Sequence, residues 1–208
     1  MMKKMKLFAT MCVALLMSTL CLTSCNTDDG YNPLTPEQIR TAFLTIQGTH
    51  VGKLIFLKNT GSTGTGSTAV TDTVAVSWSI DTDSTMTVHN FPARALTEFI
   101  STSHSALKAA VAEQPNQDLE CVIGIVQPTP VGFMINPKTL TYNVYYDGMM
   151  HKVQFAFWLN SYSSVGIYST AQKSMEMQML LGGIYVDDQV LSDGLTEQAV
   201  QLLFQSQG

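Results

Sequence analysis

Cysteine is almost missing from the part of the chain that could use it. Of four in 208 residues, Cys12, Cys21 and Cys25 fall in the first twenty-five positions and only Cys121 lies beyond them. A single distal thiol excludes an intramolecular disulfide framework and every paired-cysteine metal motif. Cys121 sits in the strand-type run Glu120-Cys121-Val122-Ile123-Gly124-Ile125-Val126 and reads as a small buried hydrophobe. Basic residues are scarce too, eleven Lys+Arg against sixteen Asp+Glu, and they form no cluster beyond the N-terminus. A polyanion would be repelled, so nucleic acid is excluded as a partner.

The motifs of common chemistries are equally absent. His50, His89, His104 and His151 are scattered, with no His-x-His or His-Glu-x-x-His spacing. Gly61-Ser62-Thr63-Gly64-Thr65-Gly66-Ser67-Thr68 is not followed by the Lys-Ser/Thr of a phosphate loop and reads as a long hairpin loop. Asp81 and Asp83 lack the Gly and distant Glu of a calcium loop and read as a solvated turn. Ser105-Ala106-Leu107-Lys108 has the Ser-x-x-Lys spacing of penicillin-binding enzymes without their companion motifs, which leaves a helix face. No catalytic residue, metal or cofactor is nominated.

What is present begins with an address. Lys3, Lys4 and Lys6 precede an apolar stretch from Leu7 to Leu22, the layout of a secretory signal, and the stretch is too short for a spanning helix. Leu22-Thr23-Ser24-Cys25 resembles the lipobox of bacterial lipoproteins, which implies that residues 1–24 are removed and that Cys25 is lipidated. Cys21 has Leu20 where a small residue belongs, so it is not the acylation site. Residues 25–33 form a lipidated tether, and residues 34–208 provide enough chain for a single domain. The signal carries three of the eleven basic residues and none of the sixteen acidic ones, leaving eight against sixteen and a formal charge of −8. Asp28 and Asp29 resemble the export signal of lipoproteins sent to the cell surface. The expected location is the outer membrane, lipid-anchored and surface-exposed rather than facing the periplasm.

Periodicity then predicts the domain. Thr35, Pro36 and Gln38 make a capping box for an amphipathic helix carrying Ile39, Phe43 and Ile46, stopped by Gly48. Alternation predicts strands near Leu54, over Val70 to Ile80, and at Met86 and Val88, followed by a helical insertion near residues 92–113. Strands resume at Glu120 to Val126 and Val131 to Ile135, across a Pro128-Thr129-Pro130 corner. Over Leu140 to Leu159, Asp147-Gly148 predicts a two-residue hairpin turn. That turn pairs Tyr146 with Met149, Val144 with His151, Tyr142 with Val153 and Leu140 with Phe155 on an apolar face, where His151 reads as a hydrogen-bonded core residue. Tyr145 and Trp158 fall on the other, wetter face. Met175, Met177, Met179 and Leu181 alternate as a further strand with a malleable core stripe, and Val200 to Phe204 is read as a closing strand rather than a short helix. The fold class expected is α+β, mainly antiparallel β: a curved meander sheet or partly closed barrel with an N-terminal helix and a helical insertion.

Tyr31-Asn32-Pro33-Leu34-Thr35-Pro36-Glu37 and Gly48-Thr49-His50-Val51-Gly52-Lys53-Leu54 resemble small bacterial envelope lipoproteins of an uncharacterised domain family. A helix leading into Gly-x-His-x-Gly-x-Leu and a long meander is distantly lipocalin-like in pattern, with His50 where an aromatic is usual. The function expected is a non-enzymatic binding module for a ligand or partner protein outside the cytoplasm, with an accessory subunit of a surface complex second and a hydrolase third. Tyr142, Tyr145, Trp158 and Tyr185 are the candidate ligand-binding residues, because rings with polar tips suit a glycan, an apolar small molecule or an envelope protein. The membrane is met through the lipid anchor, whose acyl chains contribute about 0.8 kcal/mol per buried methylene. The Cys25→Ala substitution is expected to abolish incorporation of labelled fatty acid. Persistence of the label would place acylation elsewhere.

Overall fold

Thr35 starts the first helix, α1 (Pro36–Ile46), by a reciprocal exchange: its hydroxyl accepts from Gln38 N–H at 3.2 Å and its own N–H donates to Gln38 Oε1 at 2.8 Å. Ala42 and Ile46 are buried and Phe43 packs beside them. Gly48 then takes a positive φ of 104°, which turns the chain into a strand. The computed structural model describes residues 33–58, 70–160, 162, 164–195 and 201–206. The signal, the tether with Cys25 and the Gly61–Thr68 segment lie outside them, as does Val200 of the closing strand.

Among the described residues the strands are β1 (Gly48–Leu57), β2 (Thr71–Thr82), β3 (Thr85–Phe91), β4 (Gln117–Pro128), β5 (Val131–Pro137), β6 (Leu140–Tyr146), β7 (Met149–Phe157), β8 (Val165–Ser169), β9 (Ser174–Val186), β10 (Gln189–Val190) and β11 (Gln201–Ser206). All pairings are antiparallel. The order β11-β1-β2-β3-β4-β5-β8-β9 returns to β11, so eight strands close a barrel. The barrel goes beyond a partly closed sheet, and β11 is what completes it. The segment read as strand rather than helix near the C-terminus forms that closing strand. The second half of β9 leaves the ring and pairs with β7, making a small sheet of β6, β7, β9 and β10.

The register Leu140↔Phe155, Tyr142↔Val153, Val144↔His151 and Tyr146↔Met149 is the one Asp147-Gly148 requires. Both turn residues have positive φ, 50° and 87°. Alternation places Leu54, Phe56, Val76, Trp78, Ile80, Met86, Val88, Leu119, Cys121, Ile123, Phe133, Ile135, Met177, Met179, Leu202 and Phe204 inside the barrel, all buried. Eight strands enclose a lumen just wide enough for side chains to fill. Trp78 anchors it, donating Nε1–H to Met175 Sδ at 3.3 Å. The His50 ring is stacked on the indole at 5.9 Å and Phe204 meets it edge-on at 6.2 Å. His50 thus fills the role of the expected aromatic, and its Nε2–H donates to the Ile46 carbonyl at 2.8 Å, tying α1 to β1.

Connections sort the two ends of the barrel. At one end α1 packs on β4 and β5. At the other, the β3–β4 connection folds into α2 (Ala93–Thr97), a 3-10 turn at Thr102–His104, and α3 (Ser105–Ala112), the expected helical insertion. The small sheet extends from that same end, and α3 packs on β6.

Closure demands two glycines. A Cβ at Gly52 would collide with the Gln205 carbonyl of β11, and one at Gly166 would collide with the Phe133 ring, which lies across that position. The Gly166→Ala substitution is expected to cost about 1–3 kcal/mol in urea unfolding, the usual penalty of overpacking. Adding Phe133→Leu in that background should recover part of the loss, although the same substitution in the wild type destabilises. Additive losses would mean that the ring is not what Gly166 accommodates.

Candidate functional site

Helix α3 and the barrel end cover one face of the small sheet and leave the other open. Strand alternation puts Tyr145, Met150, Gln154, Ala156 and Tyr185 on that open face. Tyr145 is 64% exposed and Trp158, just past the end of β7, is 55% exposed. A register shift leaves Gly182 without a partner on β7, since Ala156 pairs with Gly183 and Phe157 with Leu181. An added Cβ at Gly182 would meet Trp158, and one at Gly183 would meet the Tyr185 ring. The two glycines therefore clear the ground on which both rings lie. Next to Tyr185 an open hollow of about 340 Å³ is lined by Thr139, Gln154, Ala156, Tyr185 and Asp188. Lys152 pairs with Asp188 at its rim.

Three of the four aromatic candidates thus share a face, and the fourth does not. Tyr142 is 3% exposed on the covered face, edge-on to Phe155 at 6.1 Å. Tyr142 and Tyr145 share the chemistry of a ring with a polar tip, but they lie three apart on β6 and so point to opposite faces, which is the parity the sequence predicts. Its hydroxyl finds no partner among the described residues, and burial pushes its pKa up to about 12.

His151 lies at the outer end of the covered face, its ring 4.3 Å from Tyr146. Nδ1 meets Asp187 Oδ2 at 2.8 Å, while Oδ1 of that carboxylate accepts the Lys152 N–H at 2.9 Å. Nδ1 must carry the proton toward a carboxylate, so in the neutral ring Nε2 is a bare lone pair, and that atom is buried without a partner among the described residues. The expected hydrogen bond is present, and it is aimed at a turn carboxylate. The Lys152 N–H and the His151 ring hold Asp187 below its usual 3.8.

The structure also assembles a grouping the sequence hid. Ser79 Oγ stands 3.1 Å from His89 Nε2, and His89 Nδ1 lies 3.6 Å from Asp118 Oδ2. The spacings Ser79 to His89 and His89 to Asp118 match no hydrolase motif, which is why periodicity could not find them. Ser79 is 8% exposed and also donates to Asp81 Oδ2 at 3.1 Å. It sits mid-strand, between Thr49 on β1 and Thr87 on β3, where backbone N–H groups are spent on the two ladders. No donor pair remains beside Oγ for an oxyanion, so the grouping reads as a polar clasp across three strands. Ser105 and Lys108 do not form a pair of this kind either: Lys108 Nζ reaches Glu98 Oε2 at 3.8 Å. Cys121 is buried and burial pushes its thiol up, away from reactivity. Among the described residues no group of three or more His, Cys, Asp and Glu could hold a metal ion.

A family described as Domain of unknown function (DUF4840) matches residues 45–186, from the end of α1 to the last residue of β9. No curated protein and no solved structure matches the chain. The matched segment contains His151 and stops one residue before Asp187.

The lowered Asp187 pKa carries a sign. A carboxyl held below 3.8 in the folded state stabilises the fold fully above that value and loses the contribution as pH falls through the folded pKa. Urea unfolding of the wild type and of Asp187→Asn, followed from pH 5 to pH 2, is expected to show the wild type's advantage shrinking below about pH 4. A constant difference across that range would show that the ionised carboxylate contributes nothing.

Proposed function

The chain belongs to the family described as a domain of unknown function, DUF4840, and from that premise we propose that it is a non-enzymatic binding module of the cell envelope, lipid-anchored through Cys25 and surface-exposed at the outer membrane. One observation carries the reading: the open face of the small sheet displays Tyr145, Met150 and Trp158 and holds an open hollow beside Tyr185, while the barrel lumen is occupied by its own side chains. Large rings exposed on a rigid sheet are costly to leave wet and are the residue types that dominate binding energy at recognition surfaces. The extended tether spans at most about 30 Å, at about 3.6 Å per residue, which keeps the domain near its membrane.

A second reading, the accessory subunit, draws on strand β6. The hairpin register turns the N–H and C=O groups of Thr141, Asn143 and Tyr145 away from β7, and among the described residues β6 pairs with no other strand. Gln117 takes one of these, donating Nε2–H to the Thr141 carbonyl at 3.0 Å. The rest form a short edge that an extended segment of a partner could continue.

Pull-down of the lipidated protein after cross-linking in its native envelope, read by mass spectrometry of proteins and glycans, tests the proposal. A double substitution Tyr145→Ser, Trp158→Ser is expected to lose the captured species while the fold, read by circular dichroism, persists. Each truncated anchor should weaken capture by about 2 kcal/mol or more if it is a binding hot spot. Undiminished capture would move the binding surface off this face.

A further inference from the structure

We propose that the hollow beside Tyr185 is a subsite for a neutral saccharide, an inference that rests on the binding-module reading and names its ligand class. Charge narrows the choice first. Among the described residues Asp188 is the one carboxylate in the lining, and Lys152 pairs with it. An anion would meet that carboxylate, and a cation would have to displace Lys152. The lining suits an uncharged molecule.

Hydrogen-bonding capacity narrows it further. The Thr139 hydroxyl, the Gln154 carboxamide and the Tyr185 hydroxyl all line the hollow, and none has a hydrogen-bond partner within the described residues. Each can both give and accept a hydrogen bond. A purely apolar ligand would strip water from all three and return nothing, at about 1–3 kcal/mol for each group left unpaired. A polyol satisfies them.

Shape supplies the third criterion. The Tyr185 ring and the Ala156 methyl form the apolar part of the lining, and Gly183 holds the ring in place by offering no side chain to displace it. Trp158 stands two residues beyond Ala156, against Gly182. A pyranose pairs an apolar C–H face with a rim of hydroxyls that donate and accept, so it meets ring, methyl, amide and hydroxyls together. Rings with a polar tip serve such amphipathic ligands.

The test uses the full lipidated protein in lauryldimethylamine oxide, a detergent without a sugar headgroup. Maltose, cellobiose and mannobiose are the neutral probes and glucose 6-phosphate the anionic one. Saturation-transfer NMR reports contact, and Trp158 fluorescence reports affinity against the constant background of buried Trp78. At least one neutral disaccharide is expected to bind in preference to the phosphate. Tyr185→Ala and Gln154→Ala should each weaken it on the order of tenfold, with Val51→Ala, exposed on β1 of the barrel wall, leaving it unchanged. Binding that survives both substitutions, or equal binding of the anion, overturns the proposal. If no neutral sugar binds while capture from the envelope still depends on Tyr145 and Trp158, the saccharide subsite falls and the binding module stands.

Discussion

Backbone hydrogen bonding along β9 is the constraint on which the rest of the molecule depends. Residues Glu176 to Leu180 pair with β11, and Ser174 to Gln178 pair on the other side with β8. Past that point Leu181 to Val186 pair with β7 instead. One strand therefore supplies both the closing seam of the barrel and the central support of the small sheet. Closure removes the sheet edges that would otherwise recruit other chains. A hairpin such as β6–β7 is marginal alone, and it gains a third strand only because β9 runs on beyond the ring.

This arrangement leaves accessible aromatic surface on the outside rather than in the lumen. A barrel of this size is filled by side chains, and here Trp78, Phe133, Phe204 and the methionines of β9 take the volume. The methionines suit the task, since an unbranched thioether fills irregular space and accepts the indole N–H of Trp78. The small sheet has one face pressed on α3 and the barrel end, so its remaining face is where large rings can stay accessible. The break in register at Gly182 turns Trp158 and Tyr185 to flank the same ground.

Polar side chains act mostly as clasps between strands. Ser79, His89 and Asp118 link β2, β3 and β4 on the barrel exterior. His151 and Lys152 tie β7 to the turn after β9, where Asp187 and Asp188 both adopt positive φ. Asp187 tolerates that conformation because its carboxylate is held from two directions. A Ser, a His and an Asp can thus assemble as a clasp between strands. The Ser79 backbone is itself engaged in the ladders to β1 and β3.

Local physics made much of this legible in the sequence. A capping box, a two-residue turn with its register, the helical insertion and the buried Cys121 and methionine stripe each follow from interactions within a few residues, or from a period of two. Side-chain chemistry nominates Tyr142, Tyr145, Trp158 and Tyr185 alike, and the structure puts the last three on the open face and buries the first. Three things were settled only in three dimensions. Pairing of β11 with both β1 and β9 closed the ring, a choice that depends on the carbonyl of Gln205 fitting over a glycine 153 positions earlier. The second pairing of β9 created the open face. The hollow beside Tyr185 exists because Thr139, Gln154 and Asp188 come from separate elements. Alternation tells which side of a strand a residue takes, but not which strand will lie beside it, and the latter is decided by long-range packing.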